Sequence, residues 1–271
     1  MAILSERHAS AHPRIGPYLL ARPLTGASLA PRWLALHEAD QTSHVAYGLS
    51  VCKRNEDKSR FVTATERPFA LDNIHILKVE DVVWDSTNRP WVITPYTGDA
   101  DGVRTLARLL REKHGQMEPL EAERAIEQVL DAVEYAHAAR VRHGPIRLEE
   151  VLVDRRGCLI IELYGIARVL RGESEWGAEL IRDEVRSVVQ IGYQLITGLR
   201  AEDPLIPAGR LVKRLDPRWE SWLHDGLDAA GGFDTAAQAI SCLPSRREDE
   251  EQRRPMVAVR GVLERFRATR D

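Results

Sequence analysis

The order of the predicted elements indicates an α+β chain, with strands in the first third and helices after it. Runs of β-branched and aromatic residues bounded by turn residues predict strands at 74–79 and 91–94. Apolar residues at helical spacing predict three later helices, at 101–113, 119–139 and 183–198. A loop between the second helix and an apolar strand-like run carries most of the functional information.

The composition is that of an ordinary globular protein, with 44% apolar and 29% charged residues in 271. A net charge of −3 gives no sign of nucleic-acid binding. The sequence lacks the run of about 18 apolar residues that a transmembrane helix requires, and residues 1–8 lack the apolar core of a signal peptide. We therefore expect a cytoplasmic protein with no nucleic-acid partner and no membrane insertion.

The three cysteines, Cys52, Cys158 and Cys242, lie far apart. Their spacing fits neither a disulfide framework nor a zinc site, so we expect reduced thiols without a redox role.

The loop at 143–154 reads HGPIRLEEVLVD. It resembles the catalytic loop of the Hanks-type protein kinases common in bacteria, whose motif H-R-D-L-x-x-x-N supplies a base (Asp) and a metal ligand (Asn). His143 and Ile146 keep the frame of that motif. Pro145 stands at the position of the aspartate and Glu150 at that of the asparagine. The loop therefore resembles the family in its structural residues and lacks the base and the metal ligand.

In this family a lysine two residues after the aspartate steadies the γ-phosphate, and Arg147 occupies its place. We expect Arg147 to hold the loop or to meet Glu149. Glu150 by itself is a poor magnesium site, because Mg²⁺ needs near-octahedral oxygen ligands from several groups.

The resemblance covers about residues 15–243 and implies a two-lobed, protein kinase-like fold. A small antiparallel-sheet N-lobe would precede a mainly helical C-lobe. The implied organisation is a flexible arm, an N-lobe, a C-lobe, and a charged linker with a short C-terminal helix: 1–14, 15–95, 96–243 and 244–271.

The nucleotide-binding parts of such an N-lobe look degenerate here. The glycine-rich loop of the family would fall on residues 25–30, where Thr25, Ala27 and Ala30 replace the three glycines; an ordinary hairpin turn is the alternative. Arg32 falls where an apolar residue normally covers the adenine. The lysine of V-A-I-K falls on Gly48, and by strand alternation Lys53 points to the opposite face.

Three further features of the resemblance concern the helix and hinge of the N-lobe. A helix is expected at 59–66, stopped by Pro68. Glu66 in this helix would either be the partner of the absent lysine or lie on the solvated surface. Thr94 corresponds to the gatekeeper, and residues 95–99 to the hinge, whose carbonyl would still accept a bond from adenine.

The second half of the metal site, D-F-G, has become Leu163-Tyr164-Gly165. Leucine cannot ligate a cation, and alternation is expected to send Glu162 to the opposite side. No A-P-E follows, which predicts a truncated activation segment. The arginine that pairs with A-P-E is Gly232 here, so both partners of that ion pair are absent together.

Other C-lobe features of the family serve the fold. Asp183 or Glu184 corresponds to the acid that binds the catalytic-loop backbone.

The candidate partner surfaces are Trp219, Trp222 and a C-terminal helix at 257–266. Packing in the core is the alternative for each of them.

These residues predict a catalytically inactive pseudokinase that acts as a protein-binding scaffold or regulatory module in bacterial signalling or assembly. We expect no catalytic residue, no cofactor and no metal; the partner would be a protein, with an active kinase, a further domain or a second copy as candidates. A metal-independent nucleotide sensor that uses the hinge carbonyl and Arg147, or an atypical transferase with relocated catalytic residues, are the alternatives.

Overall fold

A computed structural model describes residues 13–25, 30–49, 55–99, 102–171, 176–228 and 231–246, with backbone only at 55–57, 167, 170 and 171. Several predictions concern residues outside these ranges: Cys52, Lys53, most of the predicted glycine-rich loop, most of the N-terminal arm and the C-terminal helix at 257–266.

Six antiparallel strands form the first sheet, in the order β1-β2-β3-β4-β6-β5. The strands are β1 (Arg14–Ile15), β2 (Tyr18–Leu24), β3 (Arg32–His37), β4 (Ser43–Gly48), β5 (Asp81–Trp84) and β6 (Pro90–Pro95). The β5–β6 turn is fixed by Asp85, whose carboxylate accepts the backbone N–H groups of Thr87 and Arg89 at 2.8 and 3.0 Å.

The rest of the described chain is mainly helical and holds a second, three-stranded sheet. Its helices are α2 (Leu106–Glu112), α3 (Pro119–Ala138), α4 (Ile166–Arg171), α5 (Ala178–Thr197), α6 (Ala208–Leu211), α7 (Pro217–Leu227) and α8 (Ala236–Ser241), and α1 (Asn55–Phe69) accompanies the first sheet. The second sheet has the order β7-β8-β9, from β7 (Arg104–Thr105), β8 (Val151–Val153) and β9 (Leu159–Ile161). A 3₁₀ turn, Leu148–Glu150, precedes β8.

The helical part is built around α3 and α5, which pack against each other. Proline opens α3 at its first turn, where no N–H is needed. The predicted apolar stripe of this helix is buried as expected: Ala122, Ile126, Val129, Leu130, Val133 and Ala136. Trp219 and Trp222 also belong to this core, so neither is a partner surface; the Trp222 indole N–H donates to the Ala239 carbonyl at 2.9 Å.

The two faces of the first sheet belong to different apolar clusters. One cluster contains Val45 and Tyr47 of β4 and Leu49, the residue that follows this strand. Leu152 of the second sheet and Leu163, in the turn after that sheet, belong to the same cluster. Ala46 lies in a separate cluster on the other face, together with Trp91 and Ile93. The face of the odd-numbered residues therefore looks into the cleft between the two lobes.

Some predicted boundaries were wrong. Residues 74–79 form no regular strand, and Ile76 makes a single parallel bridge to Ile161. The Leu77 N–H donates to the Ile161 carbonyl, and the Ile161 N–H donates to the His75 carbonyl. Helix α1 runs through Pro68 to Phe69, because a proline this close to the end removes few helical hydrogen bonds. Residues 104–105 pair with β8, so α2 starts later than predicted.

No helix in the described ranges is long and apolar enough to cross a membrane.

Candidate functional site

A buried ion pair joins the two lobes inside the cleft. Arg32 of β3 donates from Nη1 to Glu162 Oε2 at 3.1 Å, and the two side chains are 1% and 0% exposed. Tyr47, directly opposite Arg32 in the β3–β4 ladder, donates its hydroxyl to the same oxygen at 3.2 Å. Two residues of the N-lobe sheet thus hold one carboxylate of the C-lobe.

This network is shielded from water on the sheet side as well. Thr94 of β6 is fully buried, and its hydroxyl donates to the Pro95 carbonyl at 3.5 Å. Burial, followed by the negative charge of Glu162, raises the pKa of Tyr47 well above its ordinary value, although Arg32 opposes this. Tyr47 therefore remains a neutral hydrogen-bond donor to Glu162.

The upper and lower walls of the cleft form one apolar cluster. Val45 of β4 lies opposite Thr94 of β6, and Leu152 comes from β8 in the other lobe. Val45 and Leu152 are both buried, and both belong to the cluster that contains Leu24 and Val103. Val45, Tyr47, Val92 and Thr94 on the cleft face of β4 and β6 are thus covered by protein atoms, whereas Ser43 at the start of β4 is exposed.

Glu162 reaches the cleft because strand alternation ends before it. β9 stops at Ile161, and residues 162–165 form turns in which Leu163 has φ +46°. The prediction that Glu162 points away was therefore wrong. Leu163 itself is buried in the apolar cluster between the lobes.

Within the catalytic-loop segment, the charged side chains are used to hold the loop together. Glu150 is buried and accepts from Arg147 twice, from the guanidinium at 2.8 Å and from the backbone N–H at 3.0 Å. The partner of Arg147 is therefore Glu150 rather than Glu149. This bonding raises the pKa of Arg147 above its ordinary value. Pro145 is exposed and has no side-chain acceptor.

Helix α5 binds the backbone of this loop through an acidic side chain, as predicted, and that side chain is Glu184. Its buried carboxylate accepts the Gly144 N–H at 2.8 Å and the Tyr164 hydroxyl, and the Ser187 hydroxyl accepts the Ile146 N–H at 2.8 Å. Burial opposes ionisation of Glu184, but hydrogen bonding and the charges of nearby histidines hold its pKa below the ordinary value.

The segment after Gly165 leads quickly into the helical core. α4 follows at Ile166 and packs against α1, and α5 begins at Ala178. Gly232 has φ +76°, a conformation that suits glycine, and the ring of Phe233 after it packs against Trp222 at a tilt of 36°. Glu66 is exposed, as the surface reading of that residue predicted.

No protein-family model matches the chain. It is 25% identical over 210 residues, 73% of its length, to the probable serine/threonine-protein kinase KCC4 of Saccharomyces cerevisiae. It is 31% identical over 120 residues, 41% of its length, to the serine/threonine-protein kinase PkaB of Streptomyces coelicolor. These matches span 19% and 27% of the two relatives. The kinase domain of Mycobacterium tuberculosis PknI superposes with a TM-score of 0.69, covering 88% of this chain and 99% of that domain at 18% identity.

The chain is thus similar in sequence to serine/threonine protein kinases over parts of its length. Its two lobes are those of the protein kinase fold. Among the described residues, no group of three or more His, Cys, Asp or Glu side chains is arranged to hold a metal ion.

One alignment within the kinase N-lobe needs correction. Gly48 lies on the outer face of β4, where an added Cβ would meet Arg89 Nη2 at 2.7 Å and the Trp91 ring at 3.0 Å. A lysine at this position would not reach the cleft. The side chain that enters the cleft from this end of β4 is Tyr47, so the lysine alignment on Gly48 is one residue out of phase.

No residue pattern predicts the Arg32–Glu162–Tyr47 network as a unit. The position of Arg32 does predict a cation in the adenine space. The partner was missed because Glu162 was assigned to the wrong side.

Proposed function

We propose that this kinase relative is a catalytically inactive pseudokinase, a cytoplasmic protein-binding scaffold or regulatory module in bacterial signalling or assembly. The observation that carries the proposal is the buried Arg32–Glu162–Tyr47 network, which occupies the cleft where a kinase would bind its nucleotide.

The chemistry of phosphoryl transfer supports the same conclusion. Catalysis in this family depends on positioning and on neutralising charge with a lysine, metal ions and their acidic ligands. In this chain Pro145 offers no base, Leu163 offers no metal ligand, and Glu150 is already bound to Arg147. The tyrosine that enters the cleft carries no positive charge for a phosphate.

The energetics of the cleft also disfavour a nucleotide. Separating a buried ion pair costs about 3–5 kcal/mol. An open kinase cleft with micromolar affinity gains about 8 kcal/mol from its ligand. If the ligand must first separate Arg32 from Glu162, the remaining free energy corresponds to a dissociation constant of about a millimolar. Binding at cellular nucleotide levels would then be weak at best.

A thermal-shift titration with ATP, with and without Mg²⁺, tests this proposal. We expect the melting temperature to rise by no more than about 2 °C at 1 mM ATP, without saturation, in either condition. A saturable rise without metal would instead favour the metal-independent nucleotide sensor, in which the hinge carbonyl and Arg147 contact the ligand. An open, catalytically competent relative from the same family serves as the positive control.

A transfer assay with radiolabelled ATP tests the atypical transferase. We expect no incorporation of phosphate or AMP into the protein itself or into a generic protein substrate at high protein concentration. Incorporation that survives removal of contaminating kinases would overturn the assignment as an inactive protein.

A further inference from the structure

A cavity of about 610 Å³ opens beside the first turn of α3. Its walls come from the segment that joins α2 to α3, from the end of α5 and from residues 212–214. Its charged lining consists of three cations and two carboxylates: Lys113, Lys213, Arg214, Glu118 and Glu121. The lining is therefore positive, in a chain whose net charge is −3.

Two of these cations have no partner within the described fold. Lys113 pairs with Glu121 at 2.9 Å. Lys213 and Arg214 are exposed, and in the part of the chain that the structure describes neither side chain forms an ion pair or a hydrogen bond. One carboxylate of the lining, Glu118, is left to balance these two charges. The cavity thus has the electrostatics of a site for an acidic ligand.

The last described residues of the chain lie on the same side of α3 as this cavity. The Ser245 N–H donates to Glu123 Oε1 at 2.8 Å, and Arg246 Nη2 donates to Glu127 Oε1 at 2.7 Å. Pro119, which lines the cavity, is four residues before Glu123, and side chains at that spacing are neighbours about 6 Å apart on one face of a helix. Ser245 is therefore held one helical turn from the cavity.

The residues that follow have the charge that the cavity lacks. Residues 248–251 read EDEE, and they begin three positions after Ser245. An extended chain spans up to about 3.5 Å per residue, so this run reaches about 10–20 Å from Ser245. That exceeds the single turn of helix between Ser245 and the cavity, even with a path around a helix about 10–12 Å in diameter. Carboxylates make short, charge-assisted hydrogen bonds to lysine and arginine, and a tethered ligand meets its site at a high effective concentration.

We propose that the acidic segment 248–251 docks into this cavity, where Lys213 and Arg214 bind its carboxylates. Docking fixes the point from which residues 252–271 leave the C-lobe, beside the first turn of α3. The proposal concerns this lobe alone and does not depend on whether a nucleotide enters the cleft.

The test is zero-length crosslinking of the full-length protein with a carbodiimide, which joins a carboxylate to a lysine amine only where the two are in contact. Linked peptides are identified by mass spectrometry after digestion, and a mixture of unlabelled and heavy-isotope-labelled protein separates links within one molecule from links between two. The Lys113–Glu121 pair is the internal standard, because the structure places it in contact. Lys78, whose side chain is 62% exposed on the N-lobe, is the comparison for random capture.

We expect a link within one molecule between Lys213 and a carboxylate of residues 248–251, and none from these residues to Lys78. The Arg214→Asn variant removes one of the two cations, with asparagine chosen because residue 214 has φ +58°, which asparagine tolerates. Its Lys213 link, measured against the Lys113–Glu121 standard, should fall by a factor of about two to five, as expected for the loss of one exposed ion pair. Arg210→Gln, at an exposed arginine outside the lining, is the matched control and should leave the ratio unchanged.

The proposal is overturned if the standard forms without the Lys213 link, if that link joins two molecules only, or if Lys78 captures the segment equally well. An Arg214→Asn ratio equal to that of the parent would also overturn it. Equal melting temperatures of the parent and the variants establish that the fold is intact.

Discussion

Replacing Glu162 with glutamine removes one charge from a pair that water does not reach. The substitution keeps the size of the side chain and an acceptor for the Tyr47 hydroxyl, but it removes the carboxylate charge that faces the buried Arg32 guanidinium. Breaking a fully buried pair in this way costs about 3–5 kcal/mol. For a chain of this size each kcal/mol lowers the melting temperature by about 2–4 °C, so Glu162→Gln should melt about 6–20 °C below the parent.

The assays are thermal unfolding, which gives the melting temperature, and urea unfolding, which gives the free energy; both are followed by circular dichroism and tryptophan fluorescence. Two companion variants make the result specific. Arg32→Met combined with Glu162→Met removes both charges and should lie within about 2 kcal/mol of the parent, because no charge is left unpaired. Glu127→Gln breaks a surface pair with Arg246, whose side chains are 41% and 55% exposed, and should cost less than about 1 kcal/mol.

If Glu162→Gln is as stable as Glu127→Gln, the Arg32–Glu162 pair does not stabilise the fold as a buried pair should. That result would mean that the Arg32 charge reaches water and that the cleft is open in solution.

Three further predictions concern other parts of the fold. Gly48→Ala should destabilise the protein by about 1–3 kcal/mol in urea unfolding, because the new Cβ displaces Arg89 from the carbonyls it binds. Gly177→Ala is the control: its Cβ meets nothing within 4 Å, and because Gly177 is the N-cap of α5 the change should cost less than about 1 kcal/mol. Burial opposes ionisation of Asp85, but hydrogen bonds from Thr87, Trp91 and the Arg89 backbone lower its pKa from 3.8 to about 2. The stability it confers is therefore complete above about pH 5 and is lost as the pH falls from about 4 towards 2. The Asp85→Asn variant should show a shallower acid dependence of the free energy of unfolding, by of the order of 1 kcal/mol after solvent screening; identical pH profiles would count against the hydrogen-bond geometry. Glu184→Ala leaves the Gly144 N–H without its acceptor, so hydrogen exchange of that amide should accelerate at least about tenfold, and unchanged exchange would contradict its role in holding the loop.

The sequence was most informative where one side of an element is polar. Helix α3 begins at Pro119 and ends at Ala138 nearly as predicted, because its apolar stripe and opening proline fix both position and phase. The grip of α5 on the catalytic loop was predicted to within one residue, and Glu184 is the acid that performs it.

Strand β4 illustrates why the cleft was harder to predict. Val45, Ala46, Tyr47 and Gly48 are all buried, so this strand is covered on both faces and has no polar alternation to set its phase. An alignment by motif alone could therefore slip by one residue. Nothing in the pattern of residues identified Tyr47 as the side chain that enters the cleft.

The position of Glu162 depended on a turn that periodicity does not describe. A strand rule was applied to a residue just beyond the end of β9, where the chain turns and Leu163 takes a positive φ. The pairing of Arg32 with Glu162 joins residues 130 positions apart in sequence, and no local pattern predicts such a contact.

An isothermal titration of the protein with ATP, first in EDTA and then with Mg²⁺, shows whether a nucleotide can enter the cleft between the lobes. If protein side chains fill the cleft, the titration should give no saturable heat at ligand concentrations up to about a millimolar. A saturable isotherm in the micromolar range that vanishes on adding a competitive nucleotide would contradict it, since such a ligand must occupy the space now held by Arg32, Tyr47 and Glu162.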